Sequence, residues 1–148
     1  MPETRALRLL VEAEVPLVAV ETHEEPRLLA LARALGSELC RPVFAWSASD
    51  GLSRLDLNMD AFEGEELARA PVEALRRIRA HRAPALYVLL DFHPYLDHPE
   101  VVRLLKDIAL AHGHVGHCLI LASHALSLPP ELKHYASSFE LVPPDARA

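Results

Sequence analysis

The sequence is short of cysteine. Only Cys40 and Cys118 occur, too few for a disulfide framework, and a reducing compartment fits best. It also lacks any apolar run near the ~20 residues that a membrane helix needs. Met1 to Glu14 alternates charged and apolar residues, so the continuous apolar core of a secretory signal is missing. There is no excess of positive charge. The net charge of -6 at pH 7 speaks against non-specific nucleic-acid binding, which needs a cationic face. Repeats, low-complexity segments and internal linkers are absent. These absences lead to the expectation of a cytoplasmic protein with no membrane span. What is present is apolar: 51% of 148 residues, enough to bury one sizeable core and to expect a single domain over 1–148.

Along the chain, Leu7, Leu10 and Val11 stand at helical spacing among charged residues, and Pro16 ends that first helix. Leu17 to Val20 is an unbroken apolar run, which reads as a strand buried on both faces. A helix follows. Thr22 and Glu25 have the spacing of a capping box, whereas Pro26 at the first helical position would put the cap at Glu25. Gly36 is its expected stop. Pro42 to Trp46 is a second strand, and Ser47 to Gly51 a turn. Residues 52–70 read as a long polar connection with room for a short edge strand or helical turn. Pro71 begins a helix that ends before Pro84. Leu86 to Leu90, closed by Asp91, is the clearest strand. Pro99 starts a helix that exits at Gly113 and Gly116. Cys118 to Ser123 is a fourth strand, Pro129-Pro130 opens a short helix, and Ser138 to Val142 is a fifth strand. Apolar strands alternating with helices predict an α/β fold: a three-layer αβα sandwich with a mainly parallel five-stranded sheet.

Ligands of such sheets bind at the carboxyl ends of the strands. Those ends carry Thr22 to Glu25, Ser47 to Gly51, Asp91 to His93, Ser123 with His124, and Val142 to Pro144. An apolar strand ending in Asp91 and another ending in Ser123 have the layout of a RecA-like nucleotide hydrolase, where the acid holds magnesium and the polar residue senses the terminal phosphate. The predicted strand order is then 5-1-4-3-2. Helix capping and a strand-end turn explain the same two residues equally well. The first loop argues against nucleotide. Phosphate binding there needs glycines and a lysine, but Glu21-Thr22-His23-Glu24-Glu25-Pro26 has neither. It has three carboxylates, and its proline removes a donor. The fold is therefore expected to be degenerate, without a phosphate-binding loop, and no cofactor, metal or catalytic residue is expected. Glu24, Glu25, Asp91 and Ser123 are left as vestigial strand-end positions.

Other constellations are weaker. Glu24, Glu25 and Asp91 beside Ser123 imitate the acid cluster of a phospho-acceptor receiver domain, but the gap before Asp91 is long and the last strand offers no lysine. His112, His114 and His117 beside Cys118 match no closed tetrahedral spacing and read as a solvated loop. His23, His93 and His124 fall at strand ends, where lining a polar crevice competes with a proton-relay or metal role. Arg76, Arg77, Arg79 and Arg82 form a basic helix end. That suits the helix dipole better than nucleic acid, because no aromatics are interleaved.

The segments PLVAVETHEEPR (Pro16 to Arg27), VFAWSASDGL (Val43 to Leu52), LYVLLDFHPYL (Leu86 to Leu96), VVRLLKD (Val101 to Asp107) and LPPEL (Leu128 to Leu132) together resemble one family: the uncharacterised AAA-type ATPases of bacteria and plastids, of the hypothetical-chloroplast-reading-frame type. The resemblance covers nearly the whole chain and matches the domain preceding that family's catalytic AAA module. It implies a degenerate RecA-like domain, with phosphate loop and hydrolysis in the second domain, and it carries over no catalytic residue. A fragment and a stand-alone relative without a motor both fit. The expected function is a non-catalytic regulatory or protein-interaction domain that partners an AAA module in cis or in trans, or another protein. Homo-oligomerisation is open to it. Asp50, His93 and Arg103, the last on the exposed side of the helix over 100–112, are candidate partner-binding residues. The alternatives are a phospho-switch or small enzyme built on Asp91, and an accessory domain that binds nucleic acid through the arginines of 71–82.

Overall fold

The computed structural model describes residues 2–55 and 68–141. The strands are Leu17–Glu21 (β1), Val43–Ser47 (β2), Gly51–Arg54 (β3), Leu86–Leu90 (β4), Cys118–Ser123 (β5) and Ala136–Ser138 (β6). The helices are Pro2–Glu12 (α1), Glu25–Leu39 (α2), Pro71–Ala80 (α3), Pro99–Leu110 (α4), His112–Val115 (α5) and Pro130–Lys133 (α6), with a 3-10 turn at His93–Tyr95. Proline opens α3, α4 and α6, where its missing N–H costs no helical bond.

Among the described residues, six strands join one sheet in the order β3-β2-β4-β5-β1-β6. Every pairing is parallel except β2 with β3. Count and order thus differ from the five-stranded expectation. The difference enters at the edge. The small polar residues at 47–50 turn the chain back on itself, and Gly51 takes a positive φ of 73°, which an L side chain resists. An antiparallel strand is thereby appended outside β2. The last strand also shifts: it is Ala136–Ser138 rather than 138–142, and Val142 to Pro144 lie outside the described residues.

Strand alternation sorts the apolar side chains onto two faces. Leu17, Phe44, Trp46, Tyr87, Leu89, Leu119 and Leu121 pack with α3 and α4 on one face. Val18, Val20, Val43, Leu86, Val88, Ile120 and Ala122 pack with α1 and α2 on the other. Gly36 does not stop α2; the helix continues to Leu39 and closes on Cys40 in the left-handed region. The glycine serves close approach instead. A Cβ there would lie 2.2 Å from Val43 Cγ2 and 2.9 Å from the Arg41 carbonyl oxygen.

This topology sets a switch point between two strands. β1 and β5 are neighbours, yet β1 leads into α2 on one face while β5 leads toward α6, whose Leu132 is buried on the other. Connections that part in this way mark the strand ends where ligands of such sheets bind.

Candidate functional site

At the end of β1, the Thr22 N–H donates to the Ser123 carbonyl at 2.9 Å, so the loops after β1 and β5 are tied at their roots. Thr22 Oγ1 accepts from the Glu24 N–H at 2.9 Å. Neither capping alternative holds: α2 starts at Glu25 behind Glu24, with no side-chain cap and Pro26 in its first turn. The acids of this loop are not an open negative cluster. Arg27 bonds Glu24 at 3.0 Å and Glu3 of α1 at 2.6 Å, and Glu21 Oε1 accepts from the Leu126 N–H at 3.2 Å.

At the end of β4 the chain turns sharply. Asp91 has φ 52°, in the left-handed region, a conformation that Asp tolerates better than most residues. Its N–H still reaches β5, donating to the Ala122 carbonyl at 2.8 Å. The turn drives Phe92 into the core against Trp46, with ring centroids 5.4 Å apart, and Tyr95 packs on both rings. Trp46 Nε1 donates to the Ala68 carbonyl at 2.8 Å. Anchored by Phe92 and Tyr95, the 3-10 turn sets His93 beside His124, edge to face with centroids 4.8 Å apart. On its other side His124 stacks on His23 at 5.9 Å. One possible ligand atom from each of Asp91, His93 and His124 lies within 4.8 Å of the others. Asp91 and His124 are exposed, His93 is half-buried, and His93 Nδ1 is buried with no hydrogen-bond partner.

The residues singled out in the sequence therefore separate. Asp91 and His93 converge, and His124 and His23 join them. Ser123 does not: it is buried, its hydroxyl donates to the Ala125 carbonyl at 2.8 Å and accepts from the Ala125 N–H at 3.0 Å. Glu24 belongs to Arg27, and Glu25 sits in the first turn of α2. Asp50 lies in the exposed turn between β2 and β3, its N–H donating to Ser47 Oγ at 3.2 Å. Arg103 is exposed on α4 and pairs with Asp107 at 3.0 Å. The arginines of α3 face acids as well: Arg76 contacts Glu100, and Arg79 reaches Asp107 at 3.2 Å.

A second polar cluster, at the amino edge of the sheet, had no signal in sequence spacing. His81 and His117 stack with centroids 5.6 Å apart and planes 4° apart. Tyr87 shares a 3.1 Å hydrogen bond with His81 Nδ1, and Phe44 stacks on Tyr87 at 5.0 Å. The stretch around 112–117 is thus not a solvated loop throughout: His112 to Val115 is helical and His117 is 3% exposed. Burial lowers the pKa of His117 and pushes the neighbouring Cys118 thiol up to about 12. Only the fold brings these rings together.

Among the described residues no helix is long and apolar enough to cross a membrane. The family model described as "SpoVK-like AAA ATPase, N-terminal domain" matches residues 3–141. Similar curated proteins include the uncharacterised AAA domain-containing protein ycf46 of Trieres chinensis, 28% identical over 130 residues, covering 86% of this chain and 25% of that protein. The protein of the same name from Guillardia theta is 25% identical over 89% of this chain and 26% of its own length. That of Pyropia yezoensis is 24% identical over 93% and 28%. The chain spans about a quarter of the length of these relatives.

Proposed function

Because the chain belongs to the SpoVK-like AAA ATPase N-terminal domain family, we propose that it serves as a non-catalytic regulatory or protein-interaction domain, working with an AAA ATPase module in cis or in trans. It is read as one degenerate RecA-like domain over 1–148, acting in a reducing compartment such as the cytoplasm, in keeping with the free thiols of Cys40 and Cys118. The observation that carries this reading is how the first loop uses its groups. A phosphate loop presents converging N–H donors and a lysine. Here the Thr22 N–H is spent on Ser123, the Glu24 N–H is spent on Thr22, and Pro26 has none. The cation at the head of α2, Arg27, is held between two carboxylates.

Asp50, His93 and Arg103 remain the candidate partner-binding residues, on three different elements. The phospho-switch alternative draws less support, because the Ser123 hydroxyl is closed onto Ala125 instead of being free to meet a phosphorylated Asp91. A nucleic-acid role loses support from the acids that α4 sets against α3. Calorimetric titration with Mg-ATP tests the reading. No heat of binding is expected. Micromolar binding that Asp91→Ala abolishes would overturn it, and a phosphoryl mass gain from a small phosphodonor, lost in Asp91→Asn, would favour the switch.

A further inference from the structure

The geometry points to a metal-binding site at the carboxyl edge of the sheet, in which Asp91, His93 and His124 hold one zinc-type divalent ion. This departs from the metal-free crevice expected from spacing alone, and it goes beyond the regulatory reading without depending on it.

Three observations converge. The first is placement. β4 and β5 pair in register, Leu90 opposite Ala122, so Asp91 and His124 leave adjacent strands one residue apart in height. The bond from the Asp91 N–H to the Ala122 carbonyl fixes that spacing. His93 is brought over the same edge by the anchored 3-10 turn. Each of the three supplies one possible ligand atom, and these atoms lie within 4.8 Å of one another. Bonds of about 2.0–2.2 Å to nitrogen and oxygen put tetrahedral ligand atoms roughly 3.3 Å apart. Asp91 and His124 are exposed, so side-chain torsions can close the difference.

The second observation is His93 itself. Its Nδ1 is buried without a hydrogen-bond partner, and buried polar atoms are rarely left so. The third is backbone strain. A non-glycine residue in the left-handed region persists where the surroundings over-determine it, as they do at functional sites.

The donor set selects the ion. Two imidazoles and one carboxylate suit zinc and its first-row neighbours. Magnesium and calcium call for oxygen ligands. Three protein ligands leave a tetrahedral ion one open position, and His23 stacks on one of the three, His124.

The test uses the whole chain, stripped with a chelator, and Zn²⁺ as the probe in competition with a chromophoric chelator. One equivalent should bind with submicromolar affinity. His124→Ala and Asp91→Asn should each weaken binding by at least about tenfold, and the pair His93→Ala/His124→Ala should remove it. The pair His112→Ala/His114→Ala, in a different turn, should leave it unchanged. Co²⁺ should give the intense visible bands of a tetrahedral site in the wild type and lose them in His124→Ala. Because His124 is exposed, that variant keeps the test meaningful if His93→Ala does not fold. Wild-type affinity no higher than that of the His93/His124 variant would overturn the proposal, as would binding that follows His112 and His114 instead. Neither result bears on Mg-ATP binding, so the two readings fail separately.

Discussion

His117 lies flat against His81, and its Nε2–H donates to the His81 carbonyl at 2.6 Å. One relationship thus fixes both the ring and its tautomer: Nδ1 carries the lone pair, and it is buried without a partner. Charging this ring would put a proton on that nitrogen beside a second imidazole.

A pH dependence follows. Burial lowers the His117 pKa; the carbonyl bond opposes this and the His81 imidazole adds to it. His112 is also lowered, again by burial first. For groups depressed in the folded state, the unfolded chain takes up protons first. The stability they contribute is complete above the unfolded value of about 6.5 and drains away as pH falls from there through the folded values. Urea midpoints measured from pH 8 down to pH 5 should fall, and His117→Gln should flatten the slope. An unchanged slope in that variant would assign the loss to other groups.

Gly36 and Gly113 make a matched pair of probes. A methyl at Gly36 meets Val43 and the Arg41 carbonyl, while nothing lies within 4 Å of one at Gly113. Gly36→Ala should cost about 1–3 kcal/mol by overpacking. Gly113→Ala, in the short helix α5, should be neutral or gain up to about 1 kcal/mol. Thermal melts of the two variants decide this, and equal effects would contradict the packing argument.

The two thiols should be distinguishable by reagent. Cys40 is exposed and Cys118 is buried, and the thiolate is the reactive species. With the Cys118 pKa pushed up to about 12 by burial, a disulfide-exchange reagent at pH 8 should titrate Cys40 rapidly and Cys118 only in denaturant. Rapid reaction of both in the native protein would mean that β5 opens readily.

The left-handed turn at Asp91 predicts an inversion of the usual glycine penalty. In the metal-free protein Asp91→Gly should be neutral or stabilising, because glycine adopts φ 52° freely. Asp91→Val should cost about 1–2 kcal/mol. Denaturant unfolding reads both.

Much of the fold was legible because apolar runs, proline punctuation and strand-to-helix alternation are local signals. Leu86 to Leu90 and Cys118 to Ser123 are strands in the sequence and in the structure. β3 was harder to see, because Gly51–Arg54 is short and half-polar and gains its identity only by pairing with β2. Gly36 misled for a related reason: the contact with Val43 that requires a glycine crosses from helix to strand. At the candidate site, Asp91, His93, His124 and His23 stood out by position at strand ends. The orphaned Nδ1 and the meeting with His124 depend on how β4 and β5 align. The pairing of His81 with His117 was wholly hidden, since those residues sit 36 positions apart and meet only through the sheet.

The sequence holds a single tryptophan, and it is Trp46, wedged against the phenylalanine that lies between Asp91 and His93 in the chain. The molecule thus has a built-in optical reporter packed against the turn that carries Asp91 and His93. Ultraviolet excitation of an unlabelled sample would follow any shift of that turn, whether an ion or a docking protein causes it, in the colour and lifetime of one indole.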